Sequence, residues 1–211
     1  MLPTLRELLV ECEALHGHIC PGQVLGARMA LLGCRLTGID DPKGLDRKKL
    51  VVWVEIDRCM TDAISAATGV RLGRRSLKFV DYGKVAATFL NVESERAFRI
   101  VALESSRALA DQRFSHIPSK KERQMQAYTS ASDKDLFKVE AVAVELKQSD
   151  LPGRPKSRVT CAECGEGVND CRESYTGDGV AVCSACAVGG YYRTRGDADD
   201  LFEDKLKESL S

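Results

Sequence analysis

Two C-x2-C pairs, Cys161-Ala-Glu-Cys164 and Cys183-Ser-Ala-Cys186, stand 18 residues apart near the end of the 211-residue chain, within the x15–20 window of a four-cysteine metal site. A segment of about 35 residues cannot bury enough apolar surface to fold alone, and tetrahedral thiolate ligation supplies the missing free energy. The spacing therefore predicts a small module, residues 159–195, holding Zn2+ through Cys161, Cys164, Cys183 and Cys186. Four thiolates also suit an iron–sulfur cluster, which spacing alone leaves open. Gly177 and Gly179, near the middle of the intervening Val168–Val182 segment, suit a hairpin, with the second cysteine pair opening a short helix. That order is treble-clef-like. Cys171 matches no pair and reads as a spare thiol.

Nine cysteines would suggest disulfides only in an oxidising compartment. The amino terminus, MLPTLRELLVECEALHGH, interrupts its apolar residues with acids and lacks a signal-peptide core. No run of about 18 apolar residues occurs, so a membrane span is not expected. A cytoplasmic chain with reduced thiols is the resulting expectation. Lys+Arg and Asp+Glu balance at 31 each, which argues against affinity built on blanket phosphate neutralisation. Over residues 151–196 six basic residues face five acidic ones, too even for a typical DNA-binding finger.

Ahead of the finger, residues 1–147 alternate between the two hydrophobic periods. Leu5, Leu8, Leu9, Cys12 and Leu15 form a helical stripe behind a Thr4/Glu7 capping box. Pro21 opens a second helix with Cys20 at its N-cap, and Gly33 marks the expected fraying point. Leu50–Ile56 is nearly continuously apolar, interrupted only by Glu55, as in a strand covered on both faces. TDAISAATG reads as a short helix, SLKFVDY, KVAATFLNV and AFRIVAL as strands, ESSRALADQRF and SKKERQMQAYTSA as helices, and FKVEAVAVEL as a last strand. Without regular βαβ alternation this predicts an α+β fold: a mixed or antiparallel sheet with helices on one side. Residues 148–158, with two Pro, are expected to be a linker, and 196–211 an acidic helical tail that lacks the pattern of a calcium loop.

A second cluster lies in His16-Gly17-His18-Ile19-Cys20-Pro21-Gly22. The N-cap position sets the Cys20 sulfur at the positive end of a helix dipole, which favours the thiolate. Cys59, between a central strand and a helix, is placed to face it. Buried inert thiols and loop imidazoles would give the same spacing. The run, together with Leu25-Gly26, Met29-Ala30, Cys59, Asp62-Ala63-Ile64, Gly69, Gly73 and Asp81-Tyr82-Gly83-Lys84, resembles the FmdE family, named for a formylmethanofuran dehydrogenase operon, over most of residues 10–95. The resemblance implies an α+β core, often in an intertwined homodimer, with a candidate site of His16, His18, Cys20 and Cys59. Of these, Cys20, Cys59 and His18 are the candidate catalytic groups. Asp62 lies nearby, and Tyr82 and Lys84 line the site. A second metal ion in that core site is a further expectation. Val70 and Arg71 stand where relatives commonly carry a further Cys after the glycine, which leaves an open ligand position.

The function expected from this resemblance is a metal-binding accessory protein of a molybdenum or tungsten oxidoreductase system, with a protein partner in that system. A small thiol- or metal-dependent enzyme is the first alternative, and a zinc-finger regulator contacting nucleic acid the second. Arg71, Arg74, Arg75 and Lys78 could hold an oxyanion beside the site, although a charge run of this kind is more often a solvated turn.

Overall fold

The computed structural model describes residues 2–193, so the acidic tail expected at 196–211 lies outside the described residues. The chain divides into two units, Met1–Gly153 and Arg154–Ser211.

In the first unit, helix α1 (Leu5–His16) starts at the Thr4/Glu7 capping box and ends at Gly17 in the left-handed conformation. Helix α2 (Pro21–Thr37) carries Val24, Ala27, Met29, Ala30 and Cys34 into the core. Strand β1 (Leu50–Val54) leads to helix α3 (Cys59–Thr68). Strands β2 (Leu77–Phe79), β3 (Ala86–Asn91) and β4 (Ala97–Ala102) follow, then helices α4 (Ser105–Arg113) and α5 (Lys120–Ser130). One turn of helix, α6 (Asp133–Leu136), leads into strand β5 (Phe137–Ala141).

The sheet order is β2-β1-β3-β4-β5, with β1 and β2 parallel and every other pair antiparallel. The fold is the mixed α+β class expected. Register fixes the faces, because residues paired across strands point the same way. Val52, Phe89 and Phe98 align, as do Val54, Ala87 and Ile100. This face joins Leu8, Val24, Met29, Met60 and Ile64 from the helices in one core.

Gly33 does not end α2. The helix continues to Thr37 and stops at Gly38, which is left-handed. A Cβ on Gly33 would sit 2.4 Å from the Phe89 ring, so the glycine lets α2 lie close against β3. Helix α2 makes a second close approach at Gly26, where a Cβ would lie 2.4 Å from the Met60 carbonyl and 2.8 Å from the Ala63 Cβ.

On the opposite face, Arg99 donates to both carboxylate oxygens of Glu55 (2.6 and 2.7 Å) and to Glu140 (3.2 Å). The chain beyond β5 returns across this side. Leu146 and Leu151 line a hollow with Leu90 and Val92. Lys78 Nζ then donates to the Asp150 carbonyl (2.8 Å), and Arg75 donates to the Ser149 carbonyl. The first part of the segment expected to be a linker is thus bound to the first unit.

In the second unit, β6 (Arg158–Thr160) and β7 (Gly167–Asn169) form a hairpin with Cys161 and Cys164 in its turn. A second hairpin pairs β8 (Ser174–Tyr175) with β9 (Ala181–Val182), and Cys183 caps helix α7 (Ser184–Val188). Turn, hairpin and helix follow the order expected from the sequence.

Candidate metal centres

Three helix ends meet in the first unit. His16 is the last residue of α1, Cys20 the N-cap of α2, and Cys59 the first residue of α3. The close α2–α3 approach at Gly26 brings the two N-termini together, so both sulfurs lie where helix dipoles are positive and favour thiolate ligands. One donor atom each from His16, Cys20 and Cys59 falls within 4.8 Å of the others. Cys20 has extended backbone (φ −137°, ψ 163°), and its side chain makes no capping bond, which leaves the sulfur available to Cys59. Burial, followed by the hydrogen bond with Cys20, raises the Cys59 thiol above its ordinary range. A bound cation reverses that preference by favouring the thiolate.

Asp62 Oδ2 lies 2.9 Å from His16 Nδ1. A carboxylate on one ring nitrogen fixes the tautomer and makes the other nitrogen a better ligand, the usual outer contact of a metal-bound histidine. One nitrogen and two sulfurs form a borderline-soft donor set that fits zinc and its neighbours.

His18 is not part of this three-residue cluster. Its ring stands beside that of His16, with centroids 4.9 Å apart and planes tilted 47°. Tyr82 and Lys84 occupy an exposed turn tied to the end of β1, where both backbone N–H groups donate to the Glu55 carbonyl (3.1 Å each). Their side chains meet each other, with Lys84 Nζ 5.7 Å from the Tyr82 ring centroid. Asp62 is the residue whose contact adds most to the motif, and it lies on α3 one turn beyond Cys59.

In the second unit, donor atoms of Cys161, Cys164, Cys183 and Cys186 lie within 4.8 Å of one another. Backbone N–H groups of Cys164 and Cys183 lower the Cys161 thiol to about 6; the Cys183 contact measures 3.2 Å. Cys186 N–H donates to Cys183 Sγ (3.3 Å). N–H groups directed at sulfur favour the thiolate, so this donor set fits a tetrahedral metal. Cys171 stands apart with Ser157, whose Oγ accepts from its backbone N–H (2.8 Å). Cys12 and Cys34 are core thiols raised by burial to about 11 and about 12, a setting that keeps a thiol inert.

Residues 15–139, which contain the whole three-helix junction, match the family described as FmdE, Molybdenum formylmethanofuran dehydrogenase operon. The chain belongs to the FmdE family. A crystal structure of a tungsten formylmethanofuran dehydrogenase FmdE-like protein from Syntrophus aciditrophicus is similar in fold. It has a TM-score of 0.58 and 22% identity, over 90% of this chain and 96% of that one. A probable S-adenosyl-L-methionine-binding protein from Archaeoglobus fulgidus is 34% identical over 97 residues, 46% of this chain. This FmdE-family chain spans about a quarter of that protein's length (26%). Among the described residues no helix is long and apolar enough to cross a membrane.

Proposed function

We propose that this FmdE-family protein is a metal-binding accessory protein of a molybdenum or tungsten oxidoreductase system. His16, Cys20 and Cys59 hold a metal in the core, and the four finger cysteines hold a structural Zn2+. The observation that carries this reading is the convergence of one imidazole and two thiols from three helix ends, with Asp62 orienting the imidazole. Inert core thiols need no such carboxylate, and Cys12 and Cys34 show how such thiols sit in this fold: buried and away from any imidazole cluster. A metal held by three side chains keeps a position for an exogenous group, so the site suits transfer or sensing of a small ligand or ion. The family's operon association supplies the partner system, and the homodimer expected from the resemblance belongs to the same proposal.

Disruption of this gene in its native host tests the role. Molybdenum- or tungsten-dependent oxidoreductase activity in extracts is expected to fall, and to return with the wild-type gene but not with the Cys20→Ser/Cys59→Ser form. Undiminished activity after disruption, or full rescue by the double variant, would contradict the accessory role.

A further inference from the structure

A groove of about 740 Å³ opens between the end of α1 and the loop that follows α3. One part of its wall is apolar, with Ala14, Leu15, Ala66, Leu72 and Leu77, and another is cationic, with Lys43, Arg71 and Arg74. Leu15 and Leu72 are exposed (57% and 64%). A second hollow of about 320 Å³ shares Gly69 and Arg74 with the first and adds Arg47 and Lys48. Five cations therefore border two hollows that meet at Gly69 and Arg74, in a chain whose formal charge is zero.

The acidic member of these walls, Glu11, is already paired with Lys43. Among the described residues, Arg47, Lys48, Arg71 and Arg74 have no carboxylate within ion-pair distance, while their neighbours do: Lys49 pairs with Asp46 and Glu93, and Arg75 with Asp150. The short turn that carries the arginines is braced. Arg71 N–H donates to Ser76 Oγ (3.1 Å), and Arg75 N–H donates to the Leu72 carbonyl (2.8 Å) from a left-handed residue. This geometry divides the basic cluster. Arg75 and Lys78 hold the returning chain at Ser149 and Asp150, whereas Arg71 and Arg74 line the groove.

We propose that the two hollows form one binding site for a phosphorylated small molecule. Its phosphate groups lie among Arg47, Lys48, Arg71 and Arg74, and its apolar portion lies along Leu15, Ala66 and Leu72. Planar guanidinium groups bind phosphate oxygens through paired hydrogen bonds, and the two lysines add point charge. A mixed wall of this kind suits a ligand with one charged and one apolar end. The orientation follows from the chain: Leu15 adjoins His16, and Ala66 lies one helical turn beyond Asp62. The apolar portion therefore runs toward the core sulfurs. That last step rests on reading the core cluster as a functional metal site, and the phosphate site does not.

Titration calorimetry of the full chain with inorganic pyrophosphate tests the proposal. Saturable one-to-one binding is expected, weakened at least about tenfold in Arg71→Ala/Arg74→Ala and unchanged in Lys121→Ala, which removes an exposed lysine on α5. The Cys20→Ser/Cys59→Ser variant is expected to retain pyrophosphate binding, so that failure of the metal reading and failure of this one give different results. Absence of saturation, or equal weakening in Lys121→Ala, would overturn the site. Tighter binding of a short DNA duplex than of pyrophosphate, with the same arginine dependence, would overturn it in favour of a nucleic-acid surface.

Discussion

Removing the finger metal with a chelator, or changing Cys161 to alanine, is expected to unfold the second unit while the first keeps its own transition. Among the described residues of that unit only Cys161 and Val182 are buried, and one of those is itself a ligand. Burying one or two side chains gives about 1.5–3 kcal/mol each. Ordering the backbone costs about 1–2 kcal/mol per residue, so packing cannot hold these short strands together. Structural zinc contributes about 10–16 kcal/mol of apparent binding free energy in comparable modules. Amide spectra should lose dispersion for residues 158–188 after chelation and keep it for Leu5–Ala141. A finger that stays dispersed without metal would show that something other than thiolate ligation holds it.

The substitution Gly26→Ala is expected to destabilise the first unit by about 2 kcal/mol and to weaken metal binding at the site proposed for His16, Cys20 and Cys59. Alanine favours a helix interior by up to about 1 kcal/mol over glycine, but the added methyl would meet the Met60 carbonyl at 2.4 Å and its Cα at 2.9 Å. These are backbone atoms of α3 and cannot move aside as a side chain would, and overpacking of this kind costs about 1–3 kcal/mol, occasionally more. Relief requires α3 to move away from α2, which separates Cys59 from Cys20. Gly73→Ala is the control, since nothing lies within 4 Å of a Cβ there. Denaturant midpoints for the two variants check the claim. Equal stability would mean that α2 and α3 pack with slack.

Much of this arrangement is legible in the sequence because the signals are local. Thr4 and Glu7 announce the start of α1, Pro21 the start of α2, and the four finger cysteines their own convergence. Gly33 misleads because glycine serves both as a helix terminator and as a close-approach residue, and only the facing ring of Phe89 tells the two apart. The different placement of His16 and His18 is hidden in the sequence for a related reason. Two imidazoles separated by one glycine look equivalent in sequence, but only His16 terminates α1 and meets Asp62. The run from Phe137 to Leu146 reads as one last strand, but β5 stops at Ala141, and the path of residues 142–151 depends on contacts with Arg75 and Lys78 that are distant in sequence. Arg47 and Lys48, which read as part of a polar loop, join the Arg71–Arg74 turn only in the folded chain. The basic cluster is therefore visible in the sequence, whereas its division between structural and solvent-facing arginines is not.

Metal content measured by elemental analysis on the full chain, purified without chelators, tests the core site most directly. Wild type is expected to carry two metal equivalents per chain, one in the finger and one at His16, Cys20 and Cys59. The Cys20→Ser/Cys59→Ser variant is expected to carry one, with its finger intact. A single equivalent in both proteins would mean that the junction of α1, α2 and α3 holds no metal, and would contradict the account.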